Sequence, residues 1–237
     1  MERFINPPIQ GPGTGVGPSS TTPPMIFFDD FIGVGAMVQA SNDINTWDIH
    51  KESGNFTHKA VHGGAALMTT SGTDDHYFTL QLSQEFFLPG ATKSFYFETR
   101  LNTDKIACDL FVGFGTLDMT MTDSAAMTGL DHAGFMTNAD ANVDGTMGDG
   151  ASATTTSGDT GYDLVASTDV TLAMSYDAGQ DTVKWYVDGD LKLSTEQASA
   201  FLPDTELTWG IYQRNTAASS GATVAIAVDY VYIQCDR

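Results

Sequence analysis

The stretch Asp169 to Thr195, DVTLAMSYDAGQDTVKWYVDGDLKLST, constrains this chain more than any other. Val170, Leu172 and Met174 alternate with Thr171, Ala173 and Ser175, and Val183, Trp185 and Val187 alternate with Lys184, Tyr186 and Asp188. Period-two alternation bounded by turn residues marks half-buried antiparallel strands. Asp177 to Asp181 supplies one turn, and the Asp188-Gly189 pair favours a tight hairpin at the other. A lone hairpin is barely stable in water, so one face of this meander must pack against a second sheet.

The rest of the chain continues in strand patterns. Met25 to Phe31 is the first strand of the body, followed by a loop over Gly33 to Asp43 and a short strand around Trp47 and Ile49. Short strands follow at Phe56 to His62, Ala65 to Thr70 and His76 to Leu82. KSFYFETRL predicts a long alternating strand, while the nearly continuous apolar run Ile106 to Gly115 predicts a central one. Ala133 to Thr137, Glu206 to Arg214 and Ala222 to Gln234 complete the set, and Asn138 to Gly161 is expected to be a long polar loop. Helical periodicity is confined to single turns near Ser124 to Thr128 and Glu196 to Ala200. The expectation is an all-β chain.

Residues 1–24 differ in kind. They hold Pro7, Pro8, Pro12, Pro18, Pro23 and Pro24, with Gly11, Gly13, Gly15 and Gly17 between. Proline removes backbone donors and glycine adds chain entropy, so neither a helix nor a central strand fits. Phe4, Ile5, Pro7, Pro8 and Ile9 are the apolar anchors with which such an arm could dock on a partner. Extended, the arm would reach about 80 Å. The expected organisation is an arm over 1–24 and one domain over 25–237. MERFINPPIQGPG lacks the apolar core of a secretory signal, so synthesis in the cytoplasm is expected.

The chain carries 10 Lys plus Arg against 30 Asp plus Glu, a formal net charge of −20. Such a surface repels phosphate backbones, so no nucleic-acid partner is expected. No apolar run is long enough for a membrane helix, so no membrane partner is expected either. Cys108 and Cys235 are compatible with two thiols or one bridge.

Glycoside hydrolysis needs two carboxylates facing one sugar. The strands offer Glu98 with Arg100 and Asp109 with Phe111, and neither run has paired acids at strand spacing. Asp29 and Asp30 are adjacent and point to opposite faces. His58 and His62 sit four apart in a predicted strand, about 13 Å from one another, which is no zinc pair. Asp140-Ala141-Asn142-Val143-Asp144-Gly145 matches the first half of a calcium loop, with Asp140, Asn142 and Asp144 as oxygen ligands. Its twelfth position is Ala151 rather than Glu, so an Asx-rich turn is the competing reading and the expected one. Trp185 and Trp209 lie on strand faces, where core packing is expected.

Ser175-Tyr176-Asp177, the Val183 to Gly189 hairpin, FFDDF at Phe27 to Phe31 and VDYVYI at Val228 to Ile233 resemble the laminin-G / concanavalin A-like family. FETRLN followed by DLFVGFG resembles the strands of that family's concave sheet. The resemblance implies an antiparallel two-sheet jelly-roll sandwich with an extended N-terminal arm. Carbohydrate binding by loops around the concave sheet, with calcium or aromatic platforms, is the family's common activity. An acidic, Gly/Thr-rich jelly roll behind a Pro/Gly arm also resembles virion proteins of tailed, especially marine, bacteriophages. That second resemblance implies a non-enzymatic structural virion protein, a capsid decoration protein anchored by its arm to the major capsid protein. A homo-oligomer, with a trimer favoured, goes with that reading. The alternative it carries is a glycan-binding adhesin on a capsid or tail appendage.

Overall fold

The computed structural model describes residues 24–31, 43–44, 47–52, 54–58, 65–117, 129–138, 140–150, 154–217 and 221–236. Two antiparallel sheets account for its strands. The first sheet runs in the order β14 (Asp190–Glu196), β13 (Thr182–Val187), β12 (Asp169–Asp177), β7 (Phe95–Thr103), β16 (Ala225–Cys235), β5 (Ala66–Thr70) and β4 (Gly54–His58), and β1 (Met25–Asp29) also pairs with β16. The second runs β11 (Thr154–Asp163), β10 (Asn142–Asp149), β9 (His132–Thr137), β8 (Cys108–Gly115), β15 (Thr208–Asn215), β6 (Tyr77–Leu82), β3 (Trp47–Lys51) and β2 (Asp43–Ile44). A short 3-10 helix spans Ala198–Phe201, where a helical turn was expected. The other expected turn, Ser124 to Thr128, lies outside the described residues, as do the loop after Gly33 and the whole arm up to Pro23.

The meander forms as its alternation requires. Val170, Leu172, Met174, Val183, Trp185 and Val187 are all buried, and β13 and β14 are joined at Asp188-Gly189. Both turn residues have positive φ, 51° and 83°, which is the geometry that an Asp-Gly pair accommodates. Between the sheets, Phe97 lies 5.7 Å from Phe114 and 6.2 Å from Trp209, and Trp209 lies 6.0 Å from Trp47. Trp185 and Trp209 are fully buried, as expected. The edge-to-face geometry of these rings adds to their area burial, about 0.5–1.5 kcal/mol for each good pair.

Two expectations are corrected. FETRLN and DLFVGFG do not share a sheet: the first is in β7 of the first sheet and the second in β8 of the second. Alternation tells which face of a strand is buried, and both sheets bury one face, so the pattern does not say which sheet a strand joins. Asn138 to Gly161 is not a loop but holds most of the β10–β11 hairpin, at one edge of the second sheet. Val143 and Met147 point inward there, and Gly145 sits between them because a Cβ at that position would meet the Trp185 ring at 2.7 Å. The indole nitrogen of Trp185 donates to the Gly134 carbonyl at 2.9 Å. A strand whose inward positions are Val, Gly and Met is hard to see as apolar, yet it is complementary to one large ring.

Cys108 and Cys235 are free, buried thiols on opposite sheets. Phe31 does not extend the first strand: it turns inward with φ 53° and stacks 5.5 Å from Trp47, whose indole nitrogen donates to Asp29 at 2.8 Å.

Candidate functional site

The outer face of the second sheet is built from the outward-pointing residues of β8, β15, β6, β9 and β10. Leu110, Val112 and Phe114 of β8 point into the core, which sends Asp109 and Phe111 outward. On β15, Trp209 and Ile211 point inward and Tyr212 and Arg214 outward, with Tyr212 opposite Phe111 and Arg214 opposite Asp109. Phe111 and Tyr212 pack at 5.6 Å, with Leu130 and Met136 against them. Phe111, Tyr212, Thr79 and Gln81 are all at most 2% exposed, so the centre of this face is a covered second cluster and not an open groove.

Arg214 pairs with two of the acids on this face. The Arg214 Nε and Nη2 donate to the buried Asp109 at 3.0 and 2.5 Å, and Nη1 donates to exposed Asp75 at 3.1 Å. Gln81 donates to Asp48 at 3.2 Å. His132, absent from the sequence reading as a core residue, is fully buried: Nδ1 faces the Leu130 carbonyl at 2.7 Å and Nε2 the Thr146 hydroxyl at 2.8 Å. A carbonyl only accepts, so Nδ1 carries the proton and Nε2 accepts from Thr146. Burial lowers the His132 pKa, against the opposing pull of Leu130 and Asp131, and the ring is neutral.

A hydrolase would need two carboxylates about 5–9.5 Å apart across a sugar. The outward positions of β8 are Asp109, Phe111, Gly113 and Gly115, a single acid already held by arginine. Asp48 and Asp109 are three strand spacings and four residues apart in register, about 19 Å from sheet dimensions. A facing pair does occur at the sheet edge, where Asp144 opposes Asp159. Each is tied into its own turn, Asp144 by the Asn142 amide at 3.1 Å and Asp159 by the Gly161 N–H at 2.6 Å. This pair sits on the outermost strands rather than in a cleft, and it was missed because its hairpin was read as a loop.

The turn with the calcium-like spacing opens β10. The Asn142 N–H donates to the Asp140 carboxylate at 3.1 Å, which is the Asx turn of the competing reading. Among the described residues, the acidic oxygens that lie within 4.8 Å of one another belong instead to Asp131, Asp149 and Asp204. Asp131 is buried there and accepts from the Gly150 N–H at 3.0 Å and the Thr205 hydroxyl at 2.6 Å, so it latches two loops together. The proposed partner-binding residues Phe4, Ile5, Pro7, Pro8 and Ile9 lie outside the described residues, as does His62, while His58 ends β4.

No known protein-family model matches this sequence, and no curated protein matches it. Solved structures do resemble it. Lectin II from Ulex europaeus superposes with TM-score 0.61 at 10% identity, over 91% of this chain and 100% of the lectin. The basic winged bean lectin, solved with Tn-antigen, gives 0.62 at 8% identity over 90% and 98%. The Bacillus licheniformis β-glucanase gives 0.57 at 16% identity over 90% and 99%. Identities this low speak for architecture only, and the architecture they share with this chain is the antiparallel two-sheet concanavalin A-like jelly-roll sandwich.

Proposed function

We propose that the protein is a non-enzymatic, carbohydrate-binding jelly-roll protein displayed on a virion surface. The observation that carries the reading is the combination of a lectin-type sandwich with central strands that offer no facing pair of carboxylates among the described residues. A sandwich of this kind supports sugar recognition without chemistry, because binding needs shape and hydrogen bonds whereas glycoside cleavage needs a paired acid and base. Affinity electrophoresis of the full chain through gels containing host polysaccharide tests the binding. Release of reducing sugar that disappears in Asp144→Asn or Asp159→Asn would overturn the non-enzymatic half.

A second reading, a capsid decoration protein, is favoured by the Pro/Gly arm that runs directly into β1. Proline restricts the arm before docking and lowers the entropy lost on binding, and many symmetric copies add avidity. The major capsid protein is then the partner and a homotrimer the expected assembly. Binding to capsids that lack the protein, compared between the full chain and a chain beginning at Met25, tests it. Equal binding by both would place the contact on the body and refute the arm.

A further inference from the structure

The outer face of the first sheet carries a partly exposed aromatic surface, where the aromatic pair on the second, Phe111 and Tyr212, is buried. Alternate residues of β1, β16 and β7 project from it in register, with Phe28 opposite Tyr232, Tyr232 opposite Glu98, and Tyr230 opposite Arg100. Diagonal ring contacts join them: Phe28 to Tyr230 at 6.4 Å and Tyr96 to Tyr232 at 5.9 Å. Ile26 and Phe28, two apart on β1, are 60% and 44% exposed and extend the tyrosine surface with an apolar edge.

Glu98 sits among the rings and organises them. One carboxylate oxygen accepts the Tyr96 hydroxyl and the other the Tyr230 hydroxyl, both at 2.5 Å, while the Tyr232 hydroxyl donates to Gln234 at 3.0 Å. Burial first and these bonds to Glu98 next raise both the Tyr96 and Tyr230 hydroxyls above the ordinary tyrosine value, so they remain donors. Hydroxyls held this way fix the ring planes before any ligand arrives, which removes part of the ordering cost of binding. Arg100 borders the patch and is held between Asp169 and Asp229.

We propose that this platform is the carbohydrate site, and that it takes an uncharged polysaccharide chain; the assignment rests on the carbohydrate-binding reading above. A pyranose has an apolar face and polar edges, which suits rings bordered by a carboxylate, an amide and a guanidinium. The charge balance selects among occupants. A chain of net charge −20 whose platform is flanked by Asp169 and Asp229 repels anionic polymers and nucleic acid. A neutral polymer carries no such penalty. The site lies on the opposite sheet from the one that holds DLFVGFG.

The test uses the full chain in affinity electrophoresis with dextran and hydroxyethylcellulose as neutral probes and alginate as the anionic one. Retardation by a neutral polymer and none by alginate is expected, with Tyr232→Ala and Phe28→Ala weakening it about tenfold or more, the range of a central contact residue. Leu191→Ser, exposed on β14 away from the platform, is expected to bind as the parent does. Should Tyr232→Ala fail to fold, Phe28→Ala decides, since that ring lies on β1, is 44% exposed and is outside the main core. Retardation that survives both platform substitutions overturns the location and leaves the carbohydrate reading standing. No retardation by any polymer overturns both. A parent chain that sediments as a dimer and becomes monomeric on Phe28→Ala assigns the face to a second copy and overturns the proposal.

Discussion

Arg214→Leu should be among the most damaging single substitutions outside the main core. The guanidinium makes two hydrogen bonds to Asp109 and one to Asp75, and these two partners differ greatly in exposure. Asp109 is 1% exposed at its side chain, while Asp75 is 76% exposed. An exposed ion pair contributes about 0–1 kcal/mol, so Asp75→Ala should cost almost nothing. A buried carboxylate stripped of its cation costs about 3–5 kcal/mol, because the charge stays desolvated with nothing to balance it. Asp109 keeps further interactions, which places the expected loss near the lower figure. For a chain of this size a loss of about 3 kcal/mol lowers Tm by about 6–12 °C. Urea denaturation followed by fluorescence of the buried tryptophans measures it. Arg214→Met with Asp109→Leu should recover most of the loss, since an apolar pair of similar volume has no desolvation penalty. The reasoning fails if Arg214→Leu costs under about 1 kcal/mol, or if Asp75→Ala costs as much.

Three further outcomes are expected. Trp185 and Trp209 are equally buried, but Trp185 donates to Gly134 while the Trp209 indole nitrogen finds no hydrogen-bond partner among the described residues; Trp185→Phe should therefore be more destabilising than Trp209→Phe by about 1–3 kcal/mol in the same urea assay. Burial first, and then repulsion from Asp159 and Asp140, raise the Asp144 carboxyl, so its contribution to stability is present below the unfolded pKa and lost as pH rises through the folded one; Asp144→Asn should raise Tm near about pH 7 and give no gain near about pH 3, and a chelator should leave Tm unchanged if the Asx turn accounts for these acids. Burial, with Asp109 and Asp104 adding to it, pushes the Cys108 thiol up to about 12, and burial likewise raises Cys235; a thiol reagent near about pH 8 should label neither in the folded chain and both in denaturant.

The sandwich was legible wherever a strand shows alternating large and polar residues. The meander from Asp169 to Thr195, the long β7 and the closing β16 follow directly from that pattern, as does the burial of Trp185 and Trp209. The β10–β11 hairpin was not legible, because its inward positions are filled by small residues shaped to a ring from the other sheet. Gly145 reads as a breaker in isolation and becomes a packing residue only once Trp185 is placed against it. Sheet membership of β7 and β8 was hidden for a different reason: a short crossing at Asp104 to Ala107 carries the chain between sheets without any change in periodicity.

The aromatic platform shows the same limit from the other side. Glu98 and Arg100 stand out in KSFYFETRL as a pair of charges too poor in acids for catalysis, while the last strand's run of Val224, Ile226 and Val228 continues in sequence through Tyr230 and Tyr232, and only the bulge between Val228 and Tyr230 turns those tyrosines to the outer face. Their meaning comes from register. Bringing β7 beside β16 puts Glu98 level with Tyr232, and β1 on the far side adds Phe28 level with the same residue. A carboxylate that accepts two tyrosine hydroxyls gives no acid–base partner for hydrolysis, but it holds rings at fixed spacing on an exposed sheet. A residue that stands without a second acid in the sequence thus becomes, in the fold, the one that orders the tyrosine rings of the outer face.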